Sequence, residues 1–189
     1  MIVRQFIGWI RTASAGERAE ATRSLARAWL ISDLTKDDRA AAEGALLMML
    51  DDSSPLVRQA MAEVFARSAE APAAIVQALS VDQPSVALPI LEHSPLLIDA
   101  DLVDIVATGN NEMQCAIARR IHLPASVCAA IAEVGSAAAR SSWDRSEINQ
   151  ARARERVASA RSPAEAVLIQ LMNCRTIIAL AAYATKNMR

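Results

Sequence analysis

Glycine is scarce in this chain, five in 189 residues, and none falls in a Gly-rich run. A loop of backbone N–H groups cradling a nucleotide phosphate is therefore not expected. Aromatic residues make up only 3% against 53% hydrophobic overall, so the core must be built from Ala, Leu, Ile, Val and Met, which suits short, closely packed helices. The two histidines, His93 and His122, belong to no HExxH or Cys/His cluster, and each reads better as a polar residue at a turn than as a metal ligand. No GxSxG is present, and no cysteine has a histidine close by in sequence, so no nucleophile is recommended. Cys115, Cys128 and Cys174 are an odd number without a CxxC pair. They read as buried free thiols in a reducing, cytoplasmic setting. No basic segment followed by an apolar one opens the chain, which argues against secretion. The longest wholly apolar run, Ile177–Ala184, is far short of the roughly 20 residues of a membrane span. Neither an enzyme activity nor a cofactor nor a catalytic residue is expected.

What the chain does have is a recurring pattern. In DDSSPLVRQAMAEVFA (51–66), Ser54 and Pro55 read as an N-cap and first helical residue. Val57, Ala60, Met61, Val64 and Phe65 then form one apolar stripe. Pro84, Val86, Pro89 and Ile90 occupy the matching places 29 residues later, and Asn111, Met113, Ala116 and Ile117 another 27 on. A second helix aligns between them. Leu46, Leu47, Met49 and Leu50 map onto Ile75, Val76, Ala78 and Leu79, then onto Leu102, Val103, Ile105 and Val106. The last set is Val127, Cys128, Ala130 and Ile131, with steps of 29, 27 and 25. A two-helix unit at this period predicts an all-α chain, an α-solenoid of short HEAT-like repeats forming an α-α superhelix.

Punctuation supports the same division. Ser14 to Glu17 is a capping box, and Thr35 with Asp38 is a similar start. Ala71-Pro72 opens a helix that ends near Ser80, and Asp99 is the expected cap of the next. Gly109 and Gly135 sit where left-handed C′ glycines belong. Pro89 should bend or shorten its helix. Residues 2–12 are expected to form a short helix capping the open end of the stack.

Composition changes after Ala139. Residues 1–139 carry 11 Lys+Arg against 17 Asp+Glu, and residues 140–189 carry 9 against 4. An acidic body with a basic tail suggests either that the tail docks on the body or that it meets another acidic surface. Residues 146–160 read as a mostly solvated Arg-rich helix, and 163–186 as a helix apolar on most sides, which must be buried in the stack or against a second copy.

The stretches ERAEATRSLARAWL (17–30), LLMMLDDSSPLVRQAMAEVFA (46–66), APAAIVQAL (71–79), SPLLIDADLVDIVA (94–107), AIARRI (116–121) and AAIAEVGS (129–136) resemble a bacterial family of uncharacterised proteins, a domain of unknown function with short HEAT-like helical repeats. That resemblance covers residues 1–139 and implies the solenoid fold with no catalytic residue to carry over. Residues 140–189 depart from its pattern and read as a divergent C-terminal helical tail.

The expected function is a non-enzymatic scaffold that binds a protein or peptide, a basic one by charge, on the concave surface lined by the second helices, with Gln77, Asp104 and Glu133 facing outward. A homodimer through 163–186 is the further partner expectation. Arg58 is expected to reach Asp82 in the next unit as an inter-repeat ladder. The alternative is nucleic-acid binding by Trp143, Arg145, Arg152 and Arg156, disfavoured by the acidic body. A helical hydrolase or glycosylase ranks last, because no acid, base and aromatic converge in the sequence.

Overall fold

The computed structural model describes residues 8–10 and 12–158. Among the described residues every regular element is a helix and no strand occurs. After a helical turn at 8–10, α1 spans Ala15–Ile31, α2 Lys36–Met49, α3 Pro55–Phe65, α4 Ala73–Ser80 and α5 Pro84–His93. Then come α6 (Asp99–Thr108), α7 (Asn111–Ala118), α8 (Ala125–Val134) and α9 (Ala137–Ala158). The expected helix at 2–12 lies mostly outside the described residues, and the one at 163–186 wholly outside them. A first compact unit closes at Ser142 and a second opens at Trp143. Helix α9 runs unbroken through Ala139, where the composition changes.

Local chemistry explains most boundaries. The Ser14 hydroxyl accepts from Glu17 N–H while the Glu17 carboxylate accepts from Ser14 N–H at 2.8 Å, a reciprocal cap of α1. Thr35 caps α2 through Asp38 N–H, and Asn110 caps α7 through Met113 N–H. Two expected caps differ. The Ser54 hydroxyl makes no capping bond; instead Ser54 N–H donates to Asp52 Oδ1 at 2.8 Å, so the aspartate organises this helix start. Asp99 is the first residue of α6 rather than its cap, and Asp101 reaches back to accept from Ile98 N–H at 3.3 Å.

Gly109 and Gly135 end α6 and α8 in extended backbone, with φ −76° and −65°, not in the left-handed region. Their glycine character has another cause, since a Cβ would come within 2.5 Å of the Ile105 carbonyl oxygen at Gly109 and closer still to that of Ile131 at Gly135. Pro89 is accommodated inside α5.

Helices α1, α3, α5 and α7 form one row, each packed on the one before. Helix α2 lies against α1, α4 against both α3 and α5, α6 against α7, and α8 against α6. Corresponding positions share an environment: Val57, Val86 and Met113 are buried, and so are Met61, Ile90 and Ile117. In the other helices the matches Leu102/Val127 and Val106/Ile131 are buried as aligned. The first step is displaced by one residue. In α2 the buried set is Ala42, Ala45, Leu46 and Met49, leaving Leu47 exposed, whereas α4 buries Ile75, Val76 and Leu79 and exposes Ala78. Met49 therefore corresponds to Leu79. At the start of the row, Trp29 of α1 meets Phe65 of α3 edge to face at 6.2 Å, and Arg39 of α2 lies 4.6 Å over the indole.

Candidate functional site

A charged spine links α1, α3 and the start of α5. Arg18 forks onto Asp52, with Nε to Oδ2 at 2.7 Å and Nη2 to Oδ1 at 2.9 Å, and its Nη1 donates to the Ala13 carbonyl. Arg58 repeats the arrangement on Asp82, at 2.5 Å and 3.0 Å, while its Nη1 donates to the Asp52 carbonyl. Each aspartate also accepts a backbone N–H, Asp52 from Ser54 and Asp82 from Gln83. One continuous chain of charge-assisted bonds therefore runs Arg18–Asp52–Arg58–Asp82. The arginine forks hold both carboxyls below their ordinary values, against the opposing effect of burial, and each aspartate raises its arginine in turn. The structure thus brings Arg58 and Asp82 together. Arg18 and Asp52 escaped the sequence reading, although both arginines follow a serine N-cap by four residues. The spine ends at α5, where the place 29 residues after Arg58 is Ala87.

A second set of pairs bridges the same row. Arg23 meets Glu63 at 2.8 Å and Arg119 meets Glu92 at 3.1 Å, the two glutamates standing 29 residues apart. Arg120 donates to the Leu91 and Ser94 carbonyls, capping the negative end of α5 from beyond α7. Burial lowers the Arg120 pKa. Gln114 ties α6 to α9 by donating to the Val106 carbonyl and accepting from Ser136 N–H.

Gln77, Asp104 and Glu133 are all exposed, one each on α4, α6 and α8. Around them many exposed residues are alanines, Ala73, Ala74 and Ala78 on α4, Ala100 and Ala107 on α6, Ala129 and Ala132 on α8, and Val134 of α8 is exposed as well. These three helices contain Asp99, Asp101, Asp104 and Glu133 and not one lysine or arginine. The charged residues of α6 and α8 are thus all acidic, and α4 carries no charge.

Helix α9 separates the residues of the nucleic-acid alternative. Positions 145, 152 and 156 fall on one side of it by helical period, while Trp143 falls on nearly the opposite side and is half-buried. The side chains at 152 and 156 lie outside the described residues. Among the described residues no group of three His, Cys, Asp or Glu is placed to hold a metal. Cys115 and Cys128 are half-buried rather than buried, and Cys174 lies outside the described residues. His93 contacts Arg67 at 2.9 Å and Glu92, and His122 is exposed. A hollow of about 330 Å³ between α5, α7 and α9 is lined by Leu88, Asn111, Glu112, Cys115, Arg119 and Ala138, and Arg119 there is already paired with Glu92. No described helix is long and apolar enough to cross a membrane.

A family described as an uncharacterised protein conserved in bacteria (DUF2336) matches residues 86–165. Over that stretch the chain is similar to a bacterial family. The match begins inside α5 and takes in α6 to α9, so it continues beyond Ala139, where the resemblance read from the sequence ends, and it leaves out α1 to α4. No curated protein and no solved structure matches the chain.

Proposed function

We propose that the first unit is an α-solenoid of short HEAT-like two-helix repeats acting as a non-enzymatic cytoplasmic scaffold, and that the exposed face of α4, α6 and α8 holds a basic protein or peptide segment. The row α1–α3–α5–α7, with Val57, Val86 and Met113 buried at matching positions, supports the repeat reading. The observation that carries the binding reading is the pairing of exposed alanines with carboxylates on α6 and α8, with exposed alanines on α4 and no cation on any of the three. Small side chains let a partner helix approach closely, and the acids select its charge.

A designed peptide helix, with alanines on one side and arginines flanking them, is the defined probe. Fluorescence anisotropy with the full chain should show binding. Ala107→Arg or Ala132→Arg should weaken it by about tenfold or more, through a clash and like-charge repulsion. Circular dichroism should remain unchanged, since both sites are exposed. Binding indifferent to these variants contradicts the assignment of the face. Oligonucleotide binding at low salt that disappears in Arg152→Glu/Arg156→Glu favours the nucleic-acid alternative instead.

A further inference from the structure

We infer that the helix row contains a one-sided hinge between α5 and α7, tied at the C-terminal ends of the two helices and untied at their N-terminal ends. The inference stands on the packing of the row and not on what the face of α4, α6 and α8 binds.

The polar ties differ from joint to joint. At α1/α3, Arg18 forks onto Asp52 near the N-terminal ends, and Arg23 meets Glu63 further along at 2.8 Å. At α3/α5, Arg58 forks onto Asp82 near the N-terminal ends, and Arg67 meets His93 beyond the C-terminal ends at 2.9 Å. At α5/α7 both strap positions have lost their charge. Arg18 and Arg58 are each the fourth residue of a helix, and the fourth residue of α5 is Ala87. Asp82 stands two residues before α5 begins, and the residue two before α7 is Gly109. An aspartate does not fit there without a shift, since a Cβ would lie 2.5 Å from the Ile105 carbonyl oxygen. The polar groups at this end bond locally, Gln83 to Ser85 and the Asn110 side chain to Met113 N–H.

The opposite end of the joint is held three times. Arg119 pairs with Glu92 at 3.1 Å, and Arg120 donates to the Leu91 and Ser94 carbonyls at 2.8 and 2.7 Å. A forked arginine–carboxylate pair fixes direction, whereas the apolar contact left around Ala87 and Met113 is non-directional. Pro89 also has no N–H to give the Ser85 carbonyl, so α5 is less stiff in its N-terminal half. The hollow of about 330 Å³ lies along this joint, from Asn111 and Glu112 past Leu88 and Cys115 to the tied Arg119, and gives the helices room to swing. Helix α4 packs on α5 and α6 packs on α7, so the swing changes the spacing of α4 and α6.

The test is dipolar broadening in electron paramagnetic resonance of the frozen full chain, with Cys115, Cys128 and Cys174 replaced by serine. Leu56, Ser85 and Glu112 are the second residues of α3, α5 and α7, and all three are exposed. Spin labels on Leu56→Cys/Ser85→Cys read the strapped joint, and labels on Ser85→Cys/Glu112→Cys read the unstrapped one. Axes of packed helices lie about 8–10 Å apart, a separation at which two labels broaden each other. Matching sites give the labels the same freedom of their own, so the second distance distribution should be about twice as wide as the first. Arg58→Ala should widen the first toward the second and leave the second as it was. Circular dichroism confirms that each labelled chain is folded. Equal widths at the two joints overturn the inference, and so does a strapped joint that Arg58→Ala leaves unchanged. Neither result touches the peptide measurement, which alone decides whether the face binds basic helices.

Discussion

Phe65→Ala lowers the melting temperature of the chain by about 6–20 °C, the largest effect expected of a single truncation here. Phe65 is fully buried at the end of α3 and meets the buried Trp29 edge to face. Removing the ring takes away its transfer free energy, leaves a cavity under α1 and forfeits the aromatic pair, about 3–5 kcal/mol together. At about 2–4 °C per kcal/mol for a chain of this size, that gives the stated range. The indole loses a partner, so near-ultraviolet circular dichroism from Trp29 should weaken even at temperatures where the variant remains helical. A shift under about 2 °C contradicts the placement of Phe65 in the seam between α1 and α3.

Arg58→Ala costs about 1–3 kcal/mol at neutral pH, because it removes two charge-assisted bonds to Asp82 and one to the Asp52 carbonyl. Both side chains of the pair are largely shielded, at 16% and 17% exposure, which places the expected cost above that of an open surface pair. The variant also changes the acid limb of stability. Arg58 holds the Asp82 carboxyl below its ordinary value, so as pH falls the unfolded chain takes up this proton first. The contribution is complete above the ordinary carboxylate value of about 3.9 and is lost as pH falls through the lower folded value. Without Arg58 the largest cause of that depression is gone and only the Gln83 N–H still lowers Asp82, so denaturant midpoints of wild type and variant should converge as pH falls from about 5 through the ordinary carboxylate value. Parallel curves across that window contradict the assignment. Asp52 keeps Arg18 in both proteins, so the wild-type acid limb is only partly flattened by the substitution.

Much of this arrangement was legible in the chain. The stripe Val57–Met61 and its recurrences at Val86–Ile90 and Met113–Ile117 mark three helices of the row, because a buried face at 3.6-residue spacing is what a packed helix requires. Arg58 and Asp82 were visible because an arginine beside one stripe and an acid before the next lie on neighbouring units. The misreadings are equally physical. Leu46 and Leu47 are equally apolar, and only the packing of α2 on α1 decides that Leu46 goes inside and Leu47 stays out. Gly109 and Gly135 mark helix ends in either backbone geometry, so composition could not separate a left-handed cap from an extended one beside a close carbonyl. At α3 the serine before the proline looked like the cap, but the preceding Asp52, already held by Arg18, supplies the acceptor. The change in charge after Ala139 falls inside α9, three residues before the first compact unit closes at Ser142, since a sharp change of surface charge need not interrupt a helix.

The stacked-row account is tested most directly by hydrogen exchange, resolved by peptide, on Ile90→Ala. Ile90 is buried in α5, which packs on α3, α4 and α7 and is separated from α1 by α3. In an array stabilised by nearest-neighbour contacts the loss stays local. Exchange should accelerate in α5 and in its neighbours α3, α4 and α7, with α1 close to its wild-type rate. Equal acceleration from Ala15 to Ser142 would contradict the account, because it would mean a single cooperative core in place of units held by their neighbours.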